Sequence, residues 1–238
     1  MAGTGKTGVK DSVATKAGGG NDRRLILDFL LELREHNDRT WFEANRGRYE
    51  QARGAFEALV GELIANFEGV DDLGGVTVKE CVFRINRDVR FSGDKSPYKT
   101  AMGAVIGRGG RKSGVRSYYL HIEPEGRSML AGGFHSPTPA ELGKVRRALA
   151  ENPRHFRKIL EAPDFARYFG ELAGETLKTA PQGYAKDHPA IDLLRMKQFL
   201  AVHPLTDALV ASKRLLPEAL TVYKAMKPFV VYLESTQG

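Results

Sequence analysis

Residues Arg84-Ile85-Asn86-Arg87-Asp88-Val89-Arg90-Phe91-Ser92-Gly93-Asp94-Lys95-Ser96-Pro97-Tyr98-Lys99 pack five cations, two carboxylates and a tyrosine into sixteen positions. Guanidinium forks match phosphate oxygens bidentately, so several arginines on one face supply the chemistry for gripping a phosphate or a phosphodiester backbone. From Val82, apolar residues alternate with polar ones, the period of a β-strand. That period puts Arg84, Asn86, Asp88 and Arg90 on one face and turns Ile85, Val89 and Phe91 inward, with Arg87 among them. The ligand-binding row expected from this pattern is Arg84, Arg87 and Arg90, carried through the turn by Asp94, Lys95, Tyr98 and Lys99. Arg84, Arg90 and Lys95 would then share one concavity, and Asp88 would orient an arginine. The same residues also fit a structural ladder, in which Asp88 and Asp94 neutralise neighbouring arginines on a solvated sheet face. An Arg87 facing the core would need a carboxylate or carbonyl partner.

The charge is local. Cys81 to Arg127 holds ten Lys and Arg against four Asp and Glu, within a formal net charge of +7 for all 238 residues. A concentrated excess of this kind points to acidic partners, either a phosphorylated ligand or nucleic acid. Gly107 to Gly114, with Arg108, Arg111 and Lys112, is a basic glycine-rich loop that either lies along a polynucleotide or is simply solvated.

His121 and Glu123 fall on one face of a third expected strand, opposite Tyr118, Leu120 and Ile122. His121 is the stronger candidate for proton transfer, with Asp88 as the other. With His135 the pair has the donor types of a two-His, one-carboxylate site. Two such residues at i, i+2 arise often by chance, so a polar sheet face is preferred and no metal is assigned. Asp187-His188 before Pro189 reads as a helix cap that could add N–H groups to an anion site. No cofactor follows from the sequence. There is no nucleophile elbow, zinc-protease helix, paired Cys-x-x-Cys or dinucleotide fingerprint. Cys81 is the single cysteine; it forms no intramolecular disulfide, reads as a buried thiol and suits a reducing compartment. No apolar run reaches membrane length and the N-terminus lacks the apolar core of a secretory signal, so no membrane association is expected and a cytoplasmic location is.

The elements that position these residues follow from periodicity. Residues 1–20 carry almost nothing to bury and are expected to form a disordered basic tail. Leu25, Phe29, Leu30 and Leu33 define a first helix. Asp38 caps a second, long one carrying Phe42, Tyr49, Phe56, Leu59, Leu63 and Phe67. Strands are expected at 82–91, 101–106, 117–123 and 128–134, the last two joined by Pro124-Glu125-Gly126. Helices resume at the capping box Thr138-Pro139-Ala140-Glu141 and at Asn152-Pro153. A further helix is expected from Asp187 through Phe199, and a last region from Thr206-Asp207, with Pro228 kinking or ending a helix. Helices, then strands, then helices define one α+β domain over 21–238: an antiparallel sheet of about four or five strands flanked by N-terminal and C-terminal helices.

Arg84-x-x-Arg87-Asp88-x-Arg90-Phe91-x-x-Asp94-Lys95-x-x-Tyr98 resembles, at every fixed position, the signature of a bacterial and fungal family known as domain of unknown function 2461. The resemblance runs from about Leu27 to Leu233 and includes Lys186–Leu194 and Lys224–Phe229. It implies family membership and no particular activity. Three readings therefore stand: a phosphate- or anion-binding protein, possibly for nucleic acid; an enzyme acting on a nucleotide or phosphorylated metabolite; and a scaffold with an internal ion-pair network.

Overall fold

The computed structural model describes residues 21–90, 93–112 and 117–238. The expected tail, Phe91 of the motif, and Ser113 and Gly114 of the basic loop lie outside the described residues. Helix α1 (Asn21–Glu35) buries Ile26, Phe29, Leu30 and Leu33 and packs on α3, while Leu25 faces solvent. Asp38 caps α2 (Arg39–Ala44), its Oδ1 accepting the Trp41 N–H at 2.9 Å. The expected long second helix is broken at Asn45, whose side-chain amide donates to the Trp41 carbonyl at 2.9 Å. That bond competes with the helical ladder, and α3 (Arg46–Ala65) starts afresh with Ala52, Phe56, Leu59, Val60 and Leu63 buried. Phe67 joins the core from a 3-10 turn. A short helix α4 (Val78–Cys81) follows, closed by a Thr77–Glu80 capping box.

The sheet has four antiparallel strands in the order β1 (Met102–Ile106), β2 (Tyr118–Ile122), β3 (Ser128–Phe134) and β4 (Phe199–Leu205). The α+β architecture is as expected, but one strand has changed identity. Residues 82–91 do not form a strand among the described residues. Two isolated bridges, Val82 with Ala104 and Asn86 with Tyr98, tie an irregular hairpin instead. Pro97 has no N–H to give, and its carbonyl accepts from Arg87 N at 2.9 Å; a regular ladder cannot pass through it. The fourth strand begins at Phe199, where the expected helix was to end, and runs through a stretch to which no strand was assigned. Of that expected helix only Ile191–Leu194 forms (α8), and Phe199, Ala201 and Leu205 alternate with more exposed neighbours as β4 pairs along the whole of β3. Pro204 is tolerated because β4 is the last strand of the sheet.

Helices α5 (Pro139–Glu151), α6 (Pro153–Leu160) and α7 (Pro163–Phe169) lead towards β4. Thr138 accepts the Glu141 N–H and Glu141 answers to the Thr138 N–H, the expected reciprocal cap. Thr206 caps α9 (Asp207–Val210), and α10 (Leu215–Ser235) runs through Pro228 without ending. α10 lies so close on β3 that a Cβ on Gly132 would meet the Met226 sulfur at 2.3 Å, and one on Gly133 the Phe229 ring at 2.7 Å. Helices therefore cover one face of the sheet, burying Tyr118, Leu120, Ile122, Leu130 and Phe199. Gly103, Val105, Tyr119, His121, Met129, Ala131, Leu200 and Val202 lie on the other. Among the described residues no helix is long and apolar enough to cross a membrane.

Candidate functional site

The motif hairpin is built outward from Tyr98. Its ring is buried and stacked on Phe42, with centroids 3.9 Å apart at 15°. The Asn37 side chain brackets its backbone, donating to the carbonyl at 3.0 Å and accepting from the N–H at 3.1 Å. Tyr98 thus anchors the hairpin from behind. Ile85, expected to face inward, is buried, whereas Phe83 is 39 % exposed. Exposure keeps the period of two even without the strand: Arg84, Asn86, Asp88 and Arg90 all face solvent.

At the tip, Arg90 grips Asp88 through Nε at 2.9 Å and a terminal nitrogen at 2.7 Å, which holds the Asp88 carboxyl below its ordinary range. Asp94 accepts from the Ser96 hydroxyl at 2.5 Å and the Ser96 N–H at 2.9 Å, and pairs with Arg87. The Ser96 bonds first, and Arg87 after them, push the Asp94 carboxyl far below the usual carboxylate range. Lys95 Nζ donates to the Val89 carbonyl at 3.1 Å. Arg87 is half-buried rather than sealed in the core.

Clefts open on either side of the hairpin's base. The first, about 290 Å³, is lined by Arg53, Lys79, Arg84, Lys99 and Arg111, with Glu57 as its one carboxylate. Arg53 is held by Glu57 at 2.7 Å. Arg111 is held by the Glu80 and Lys79 carbonyls at 3.0 and 3.1 Å. Among the described residues, Lys79 and Arg84 make no side-chain hydrogen bond or ion pair. The second cleft, about 370 Å³, is lined by Phe83, Arg87, Lys99, Tyr119 and His121. It shares Phe83, Tyr119 and His121 with a third, about 460 Å³, which runs over Val105, Met129, Ala131, Leu200 and Val202 to His135. Lys99 stands between the first two. Its Nζ donates to the Arg84 carbonyl at 3.0 Å and lies 5.4 Å from the Phe83 ring centre. Burial, and then the Arg84 charge, lower its pKa.

Of the expected row, then, Arg84 and Lys99 meet in one cleft and Arg87 and Lys99 in the next, whereas Arg90 and Lys95 line neither. His121 comes together with Arg87 across the second cleft; Asp88 stays at the hairpin tip. His121 lies between Tyr119, whose hydroxyl is 3.1 Å from Nδ1, and Glu123, whose Oε2 is 2.9 Å from Nε2. His135 instead bonds Ser136 at 2.9 Å, and the described residues contain no group of three metal-ligating side chains. Asp187 does not cap α8: the N-cap is Ala190, whose N–H is accepted by His188 Nδ1 at 3.1 Å. The basic loop is pinned where it is described, Arg108 to Asp72 and Arg111 to α4. Arg53 was missed because it reads as an ordinary solvated helix position, and Lys79 because it falls in the stretch before the expected first strand, to which no element was assigned. Tyr119 had a signal, its place two residues before His121 on the same strand face.

An irregular basic hairpin set against an open antiparallel sheet defines an α+β protein with candidate anion clefts. The chain belongs to the family described as conserved hypothetical protein (DUF2461), whose model matches residues 25–232. No curated protein and no solved structure matches it.

Proposed function

We propose that the protein binds a small phosphate-bearing ligand at the base of the motif hairpin, with Arg84, Lys99 and Lys79 as the principal phosphate donors and Arg53 and Arg111 flanking them. The observation that carries this reading is the first cleft itself: five cations against one carboxylate, in a space of small-molecule size. Walls of low dielectric strengthen each cation's attraction for an anion. The bound anion also offsets the cost of holding Lys99 part-buried beside Arg84.

Two features favour a small ligand over a polynucleotide. Arg108 and Arg111, the cations that would extend a backbone track, are engaged with Asp72 and with main-chain carbonyls. The cations also converge on concavities rather than lie along a flat face. Asp88 and Asp94 form the ion pairs that the scaffold reading requires, but at the exposed tip, leaving the clefts beneath open. A cytoplasmic setting, expected from the single cysteine, supplies phosphorylated metabolites.

Titration calorimetry with inorganic phosphate tests the proposal. Binding at about millimolar strength should be lost in Arg84→Ala and in Lys99→Ala and kept in Arg90→Ala. A chain beginning at Asn21 controls for the basic tail. If phosphate does not bind, or if Arg84→Ala binds it as well as the unaltered protein, the reading is wrong. Strong binding of single-stranded DNA by the shortened chain, with a steep salt dependence, would favour nucleic acid instead.

A further inference from the structure

On the open face of the sheet, Tyr119, His121 and Glu123 stand in line along β2 and its end. Glu123 Oε1 is fixed by Arg127 Nε at 2.9 Å, and its Oε2 faces His121 Nε2. A carboxylate only accepts, so in the neutral imidazole Nε2 carries the ring proton and Nδ1 is left with a lone pair. That lone pair accepts from the Tyr119 hydroxyl. The Tyr119 proton therefore points at His121, and the remaining lone pairs of Oη face away from it. Room for this arrangement comes from Gly103, where a Cβ would sit 2.5 Å from Oη. Burial raises the Tyr119 pKa, so its oxygen needs a base to become reactive, and His121 is placed to be that base. Carboxylate, imidazole and hydroxyl in this order form the arrangement that activates nucleophiles in hydrolases.

Tyr119 and His121 share the second cleft with Arg87, which also pairs with Asp94, and with Lys99, while Glu123 stands behind His121 outside its lining; the cleft opens into the apolar one over Met129, Leu200 and Val202. We propose that Tyr119 is the catalytic nucleophile of a phosphoester hydrolase whose substrates carry an apolar leaving group, a proposal that rests on the phosphate reading above and extends it from the first cleft to the second, with Lys99 common to both. In the first step Oη bonds to phosphorus as the bond from phosphorus to the leaving oxygen breaks. The Tyr119 proton passes to His121 Nδ1 and on to that oxygen, while Glu123 offsets the transient imidazolium charge. Water then attacks the phosphotyrosine. Its oxygen bonds to phosphorus, the bond to Oη breaks, and one water proton returns through His121 to Tyr119. The sum is phosphate ester plus water giving phosphate plus alcohol. Arg87 and Lys99 stabilise the phosphoryl oxygens throughout.

An aryl sulfonyl fluoride reports the same nucleophilicity without requiring the natural substrate, since Oη bonds to sulfur as fluoride leaves. On the full chain, peptide mapping by mass spectrometry should find Tyr119 labelled ahead of the other seven tyrosines. His121→Ala should slow that labelling at least tenfold and Glu123→Gln several-fold, with circular dichroism confirming that each variant is folded. Glu123→Gln keeps the side chain's size and carries the test if His121→Ala does not fold. Saturating inorganic phosphate should protect Tyr119 several-fold. Labelling that follows exposure alone, that falls on Lys99 or His121 with Tyr119 untouched, or that ignores both substitutions overturns the nucleophile. If phosphate binds but gives no protection, phosphoryl transfer at Tyr119 is overturned while the phosphate reading stands. If calorimetry finds no phosphate bound, both fail, whatever the labelling shows.

Discussion

Replacing Gly103 by alanine tests whether the Tyr119 ring is seated as described. The added methyl would lie 2.5 Å from Oη and 3.1 Å from two ring carbons, whereas ordinary contact begins at 3.4 Å, so the hydroxyl must retreat by about 0.9 Å. The backbone cannot easily yield instead: Gly103 is paired with His121 across the sheet, and its carbonyl accepts the Phe83 N–H at 3.0 Å. A move of that size stretches or breaks the 3.1 Å bond to His121. Overpacking costs about 1–3 kcal/mol and the lost hydrogen bond about 1 kcal/mol, offset by about 0.4–1 kcal/mol from a stiffer unfolded chain. The balance is a loss of about 2 kcal/mol, which for a chain of this size lowers the melting temperature by about 4–8 °C. Differential scanning calorimetry measures the melt, and nitrogen NMR of His121 measures whether Nδ1 still receives a proton donor. Gly143→Ala is the control. Nothing lies within 4 Å of that position in α5, so the change should stabilise by up to about 1 kcal/mol. If Gly103→Ala melts no lower than the unaltered protein and leaves the His121 signal in place, Tyr119 is not held against Gly103.

Three further outcomes follow from the same geometry. Tyr98→Ala removes the stacked anchor of the hairpin and should lower stability by about 3–5 kcal/mol in urea melts, as large-to-small aromatic changes in cores do; a negligible change would mean that the hairpin is not anchored there. Asp94 has its pKa depressed in the folded state, so its contribution is present above the unfolded value near 3.8 and is lost as pH falls through the folded one. The gap in urea midpoint between the unaltered protein and Asp94→Asn should accordingly be full at pH 6 and close steadily below about pH 4; a gap that does not change with pH would refute it. Burial, and after it Glu80, push the Cys81 thiol up to about 11, so iodoacetamide at pH 8 should modify it far more slowly in the folded protein than in urea.

Where residues cluster by local pattern, the sequence was legible. Alternation and the Pro124-Glu125-Gly126 turn placed β2 and β3, and Thr138 with Glu141 placed the start of α5. What could not be read depended on partners distant in the chain. β4 has β3 as its partner, more than sixty residues earlier, and its short alternating run follows a helical turn that the eye extends. The motif hairpin reads as a strand because its polar and apolar residues alternate, yet a strand also needs donors, and Pro97 has none. The same limit applies to the site. Arg84, Lys99 and His121 carry their chemistry in their residue types, but Arg53 and Lys79 join Arg84 and Lys99 only because α3 and α4 pack against the hairpin base. Arg90 and Lys95 share a pattern with Arg84 and not its cleft, since the turn at Asp94 and Ser96 carries them away.

Whether an anion sits at the base of the hairpin can be seen in a crystal of the protein soaked in tungstate, through the metal's anomalous scattering. A peak is expected in the first cleft, within contact distance of Arg84 and Lys99, and should disappear in Arg84→Ala crystals. A peak confined to the hairpin tip beside Arg90, or none near Arg84 and Lys99 at a concentration that labels other surface cations, would contradict an anion site there.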